Sequence, residues 1–180
     1  LILSSISSIF GWSYSTIMPV IVSDVFHKGA STLGFLSSMA GLGALTSALL
    51  VSIVSKRIST IKLIFGGNLL FGVSIMFFSF TTNMIAASVF LFFSLCGILM
   101  QFSLINVTIQ HAVADNLRGR VLSIYTLTFL GLAPFGSLQI GFVAQHFGPE
   151  LAIRIGAIII IVYGTYLYIR RKREGILSPE

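Results

Sequence analysis

Long apolar runs alternate with short polar breaks along this chain. With a window of about 19 residues, six apolar segments emerge, at 1–22, 32–54, 61–81, 84–109, 120–145 and 152–169. Charges and turn-formers gather in the breaks. Asp24, His27, Lys28 and Gly29 separate the first pair, Lys56 and Arg57 the second, and Thr81, Thr82 and Asn83 the third. His111 to Arg118 form the fourth break, and His146, Gly148, Pro149 and Glu150 the fifth. Arg170 to Arg173 close the last segment and open a basic tail, 170–180. Each segment matches the roughly 17–25 residues a helix needs to cross a bilayer. A lipid-exposed chain must satisfy its own backbone polar groups, which a helix does within one segment. The pattern predicts an all-α polytopic membrane protein with six transmembrane helices.

The predicted helices differ in kind. Helix 3 (Phe65, Leu69, Phe71, Phe77, Phe78, Phe80) and helix 6 (Ile158 to Ile161, Tyr163, Tyr166, Tyr168) read as bulky on every side and suited to lipid. Helix 2 repeats Ser37, Ala40, Gly41, Gly43, Ala44, Ser47 and Ala48 at three- and four-residue spacing, which favours close helix packing. Helix 5 carries Gly131, Gly136, Ser137 and Gly141 with Pro134, which removes a backbone hydrogen bond. Helices 1 and 4 hold the polar groups. Ser4, Ser8, Gly11 and Ser15 share one face of helix 1 by the 3.6-residue period. Helix 4 places Ser103, Asn106 and Gln110 on one face and Ser94, Gly97, Gln101 and Thr108 on another. Buried amides need partners or water, so these helices belong at a bundle interior or wet cavity. The order polar, small, bulky then repeats, which reads as two three-helix repeats.

Composition strengthens this picture. Of 180 residues, 56% are hydrophobic and 9% charged, against roughly 25% charged in a soluble domain. Lys and Arg number 11 against 5 Asp and Glu. Nine of them fall on one side of the predicted topology: Lys56, Arg57, Lys62, Arg118, Arg120, Arg170, Arg171, Lys172 and Arg173. Lys28 and Arg154 make two on the other. That bias puts the nine, and both chain ends, in the cytoplasm. It accounts for the positive charge without nucleic acid, for which no basic face with aromatics exists. The sole cysteine, Cys96, excludes an intramolecular disulfide. The start at Leu1, with no basic stretch before the first apolar run, reads as a chain cut at a helix start rather than a signal peptide. No nucleophile elbow, metal-spaced His or Cys set, or paired carboxylates are present, so the expectation is no enzyme, no catalytic residue and no metal.

The most distinctive stretch is Asp115 to Gly141: a charged turn running into a glycine-bearing apolar helix. Gln110, the run Asp115, Arg118, Gly119, Arg120, Val121, Ser123, Tyr125, and Pro134, Gly136, Ser137, Gly141 resemble the C-terminal half of a major facilitator superfamily transporter. Pro19 and the helix 2 stretch GFLSSMAGLGALTSALL are similar to the branch that holds enterobactin-type siderophore exporters and macrolide efflux proteins. The Ser55–Lys62 loop keeps the basic pair Lys56 and Arg57 of the superfamily's gate motif but has no acid. The resemblance covers essentially the whole chain, as helices seven to twelve of a twelve-helix family. It implies a bacterial plasma (inner) membrane protein, alternating access, and secondary active efflux of a small amphipathic organic molecule. It also implies a partner: a missing N-terminal six-helix half, or a second copy of this chain. A non-transporting structural or assembly subunit is the alternative from another class.

The resemblance implies that helices 1 and 4 line the cavity, 2 and 5 meet the other half, and 3 and 6 support from outside. Ser8, Trp12, Gln101 and Asn106 are then the substrate-cavity candidates, with interhelical hydrogen bonding as their competing role. Arg118 and Arg120 either set topology or latch a cytoplasmic gate with acidic groups. Asp115 is the third gate candidate, and its competing role is to cap helix 5. Gly41, Gly43, Gly131, Pro134, Gly136 and Gly141 serve either as hinges or as packing positions. Asp24, Asp115, Glu150, Glu174 and Glu180 all fall in loops or the tail. A coupling proton driven by the proton motive force would need a mid-membrane carboxylate outside this chain. No cofactor is expected.

Overall fold

The computed structural model describes residues 2–173. Among the described residues it is all-α, with six helices long and apolar enough to cross a membrane. They are α1 (Ile2–Asp24), α2 (Ala30–Val54), α3 (Thr60–Phe78), α4 (Met84–Ala112), α5 (Asp115–Phe147) and α6 (Pro149–Arg173). Leu1 and the 174–180 portion of the predicted tail lie outside the described residues. Two boundaries move outward by the most. Helix α5 starts at Asp115 rather than Arg120, and α6 runs through Arg173, so the basic cluster forms its last turn. Cations there complement the partial negative charge of a helix C-terminus.

Local chemistry sets the turns. Asn83 caps α4, its Oδ1 accepting from Ile85 N (2.9 Å) and Ala86 N (3.3 Å). Between α5 and α6 the chain reverses at Gly148, whose φ of 89° suits glycine, and Pro149 takes the first helical position. Arg154 then ties α6 to the end of α3. Its Nη2 donates to the Ser79 carbonyl (3.1 Å), and its guanidinium lies 4.1 Å from the Phe80 ring centroid.

Helix α4 is the centre of the bundle, packed on both α2 and α3, while α3 packs in turn on α6, and α1 on α5 and α6. More than half of α4's apolar window is buried (56%), against 11% for α2 and 11% for α5. Those two helices therefore turn an apolar face outward, through Leu45, Leu49 and Ile53 on α2 and Leu127, Leu138 and Phe142 on α5. Leu36, Phe71, Leu91, Ile98 and Ile160 fill the core.

Glycine governs how closely the helices approach. At the α3–α4 crossing, a Cβ on Gly67 would meet the Gly97 carbonyl at 2.6 Å, and one on Gly97 would meet the Gly67 carbonyl at 2.6 Å. Gly43 of α2 lies against the Phe92 carbonyl of α4, and Gly136 of α5 against Ile9 and Ser13 of α1. Helix α3 is thus not bulky on every side, as its phenylalanines implied. Gly67, Asn68 and Gly72 are buried on its inner faces. The predicted packing positions also divide. A Cβ added to Gly41 or Gly141 would meet nothing within 4 Å, and one on Gly131 would meet only Leu127 of its own helix. These three sit on the sides of α2 and α5 that the bundle leaves uncovered. Helix α5 continues unbroken through Pro134, which is exposed.

A contrast between neighbours tests this division. Gly43→Leu is expected to destabilise the bundle by roughly 1–3 kcal/mol, the usual cost of overpacking, because backbone blocks the new side chain. Gly41→Leu is expected to leave the thermal unfolding midpoint in detergent near wild type. Equal midpoints for the two variants would contradict the close α2–α4 packing at Gly43.

Candidate functional site

Helix α1 changes its winding at mid-length. Ser7–Trp12 forms a π-helical segment, followed by a break at Ser13. The wider turn leaves backbone carbonyls short of regular partners, and the Ser13 hydroxyl donates to the Ile9 carbonyl (2.6 Å). It also shifts the phase of the helix. Ser4, Ser7, Ser8 and Gly11 are buried, whereas Ser15, predicted on the same face as Ser4 and Ser8, is exposed. Such segments concentrate at functional sites.

Trp12, the last residue of the π segment, stands between two grooves. One, of about 470 Å³, lies between α1, α4 and α5 and is lined by Trp12, Phe102, Ser103, Asn106, Tyr125 and Phe129. Its aromatic wall is interlocked: Trp12 meets Phe129 edge-on at 5.6 Å, and Phe129 meets Phe102 at 4.5 Å. Tyr125 is fixed by a hydroxyl hydrogen bond to the Phe102 carbonyl (3.2 Å). Asn106 Oδ1 accepts from the Gln110 amide one turn away. The second groove, about 460 Å³, runs between α1, α2 and α4, where Gly41, Ala44 and Pro19 face Trp12 and Leu99. Trp12 and Leu99 line both. Together they form an apolar trough with few polar groups, the usual make-up of an organic-ligand site.

Of the four predicted cavity residues, Trp12 and Asn106 meet in this trough. Gln101 and Ser8 lie outside it. Gln101 is fully buried, its Nε2 donating to Ser7 Oγ (2.8 Å) and its Oε1 accepting from Asn68 Nδ2 (3.1 Å). Ser8 is also fully buried and donates to the Phe129 carbonyl of α5 (2.7 Å). Their competing role, interhelical hydrogen bonding, is the one this structure displays. The reason is geometric: Gln101 projects toward α3 and α1, whereas Asn106 lies on the side of α4 toward α5. Thr16 and Ser137 add a 2.9 Å hydroxyl pair to the α1–α5 seam. Asn68, Phe102 and Phe129 were missed from sequence. Asn68 had a signal, a lone amide in an apolar span that must find a partner.

At the basic end of the bundle, Ala114 occupies the N-cap position of α5 and Asp115 lies inside the first turn. Asp115 is therefore not the cap that its position implied. Its carboxylate pairs with Arg118 Nη2 at 2.6 Å, one turn along. The carboxylate is 90% exposed, so the pair contributes at most about 1 kcal/mol. Asp115→Asn is accordingly expected to leave the unfolding midpoint nearly unchanged, and a large drop would show that the charge does more than complement the helix dipole. Arg120 is exposed. Asp24, Asp115 and Glu150 all sit at helix ends.

The family model of the transmembrane secretion effector, within the major facilitator superfamily, matches residues 2–175. The chain belongs to this family. Among curated relatives, it is 29% identical over 165 residues to the staphyloferrin A transporter of Staphylococcus aureus (strain NCTC 8325 / PS 47). The match covers 90% of this chain and 41% of that transporter, so the chain spans less than half the relative's length. No solved structure matches.

Proposed function

We propose that this chain is one six-helix half of a secondary transporter that exports a small amphipathic organic molecule, a siderophore or a drug, across a bacterial plasma membrane. The observation that carries this reading is the trough through Trp12, which joins an aromatic wall to a few neutral polar groups on one side of the bundle. The trough is flanked by α2 and α5, whose outward faces are apolar and uncovered. A second six-helix bundle laid across those faces, an N-terminal half or a second copy, would close the trough into a central cavity. Similarity to a protein named for staphyloferrin A transport supports a siderophore-sized cargo.

The basic end, with nine Lys and Arg against two at the other, faces the cytoplasm in this reading. Alternating access then rocks the two bundles about the trough. A side chain at Gly131 would meet no neighbouring helix, which leaves α5 room to bend near Pro134. Arg118 and Arg120 stand where a cytoplasmic gate would close against acids of the other half. For proton-coupled transport the titrating group would belong to an N-terminal half, since Asp24, Asp115 and Glu150 lie at helix ends.

The test is accumulation. The whole reading frame that contains this chain, overproduced in cells lacking their own exporters, should lower the retained amount of at least one labelled siderophore or macrolide. Unchanged retention across such a panel would contradict the proposal.

A further inference from the structure

Away from the trough, a groove of about 310 Å³ opens on the outer surface between the start of α3 and the end of α6. Phe65 and Leu69 wall it, Gly66 and Gly164 leave it space, and Lys62 and Thr165 edge it. Tyr168 joins Phe65 in an edge-on contact at 5.3 Å. The groove has two chemically distinct ends. Deep in the span, its polar residue Asn68 is 2% exposed and already bonded to Gln101, which leaves an apolar channel. At the basic end, Lys62 is exposed and forms no ion pair among the described residues. The first turn of α3 beside it has no acidic residue and no side-chain cap, so its partial positive charge is not neutralised by the chain. Lys56, Arg57 and the Arg170–Arg173 cluster lie at the same end. Asp115, the one carboxylate at that end among the described residues, is engaged by Arg118.

A groove open to lipid is filled by lipid, and its charge selects which. We propose that it is a binding site for an anionic phospholipid of the leaflet at the basic end, with the acyl chain against Phe65, Gly66 and Leu69 and the headgroup phosphate on Lys62. Basic pockets between transmembrane helices recognise anionic headgroups in this way. The site is separate from the transport trough and does not depend on the proposed cargo.

The test is native mass spectrometry of the delipidated protein titrated with dioleoyl phosphatidylglycerol or dioleoyl phosphatidylethanolamine, which differ in headgroup charge and not in chains. Wild type is expected to retain phosphatidylglycerol in preference. Lys62→Gln should reduce that preference by about fivefold, the factor one basic residue near an anionic surface supplies. Gly66→Leu keeps every charge but fills the groove. Nothing lies within 4 Å of the added Cβ, so the fold has room for it, and it should abolish retention. Leu69→Trp is a second filler of the same groove, should the first variant not purify as a folded monodisperse species. Retention unchanged in the filled variants would show diffuse attraction by the basic end and overturn the proposal, as would an unchanged preference in Lys62→Gln.

Discussion

Trp12→Ala is expected to cause the largest loss of transport, about thirtyfold in apparent affinity, which corresponds to the roughly 2 kcal/mol that marks a central aromatic anchor. Trp12 ends the π-helical segment of α1, lines both halves of the trough and buttresses Phe129. Its indole is only partly buried, so truncation opens the trough more than it hollows the core. The fold is therefore expected to survive. The comparison that checks this is the concentration dependence of transport alongside thermal unfolding of the purified protein. A large fall in the unfolding midpoint with unchanged apparent affinity would make Trp12 a packing residue.

The second large effect separates two amides that the sequence presents as equivalents. Gln101→Leu removes the shared partner of Asn68 and Ser7 in a fully buried network. Asn68 then keeps only its long bond to Ser7 Oγ (3.5 Å), and leaving a buried amide under-satisfied costs about 1–3 kcal/mol, so this variant should unfold at clearly lower temperature while its folded fraction transports normally. Asn106→Leu should do the reverse. Asn106 is half-buried beside Ser103 in the trough and its side chain is bonded, among the described residues, only to a neighbour on its own helix, so stability should hold and cargo affinity should change. Measured together, unfolding midpoint and transport per folded molecule distinguish the roles. The same response from both variants would contradict the assignment.

These two residues also show where sequence stops informing. A span must be apolar for about 20 residues whatever it packs against, so the six helices and the interior character of α4 were legible. The face of a helix on which a side chain lies is legible too. Which neighbour waits there is not, because it depends on how six helices are arranged in space. Gln101 and Asn106 are separated by that arrangement alone. The π-helical segment of α1 was hidden for a different reason. No residue type marks a turn one residue too wide, and the shift it imposes moved Ser15 away from Ser8. Gly43 and Gly136 were identifiable as packing residues, but Gly41 and Gly131 carried the same signal. Only the close approach of Phe92 and Ile9 tells them apart. Asn68 was readable and was obscured by the phenylalanines around it.

Thiol accessibility decides whether the face bearing Trp12, Ser103 and Asn106 lines the substrate path. In the whole protein with Cys96→Ala and every other cysteine replaced, Ser103→Cys places a thiol in the trough, and Val73→Cys, 37% exposed, places one on the outer side of α3. With a membrane-impermeant maleimide, the Ser103→Cys thiol should label, and transported cargo should slow that labelling severalfold, while the Val73→Cys thiol stays unlabelled in lipid. Labelling at Val73→Cys but not at Ser103→Cys, or labelling of Ser103→Cys that cargo leaves unchanged, would place the substrate path elsewhere in the protein.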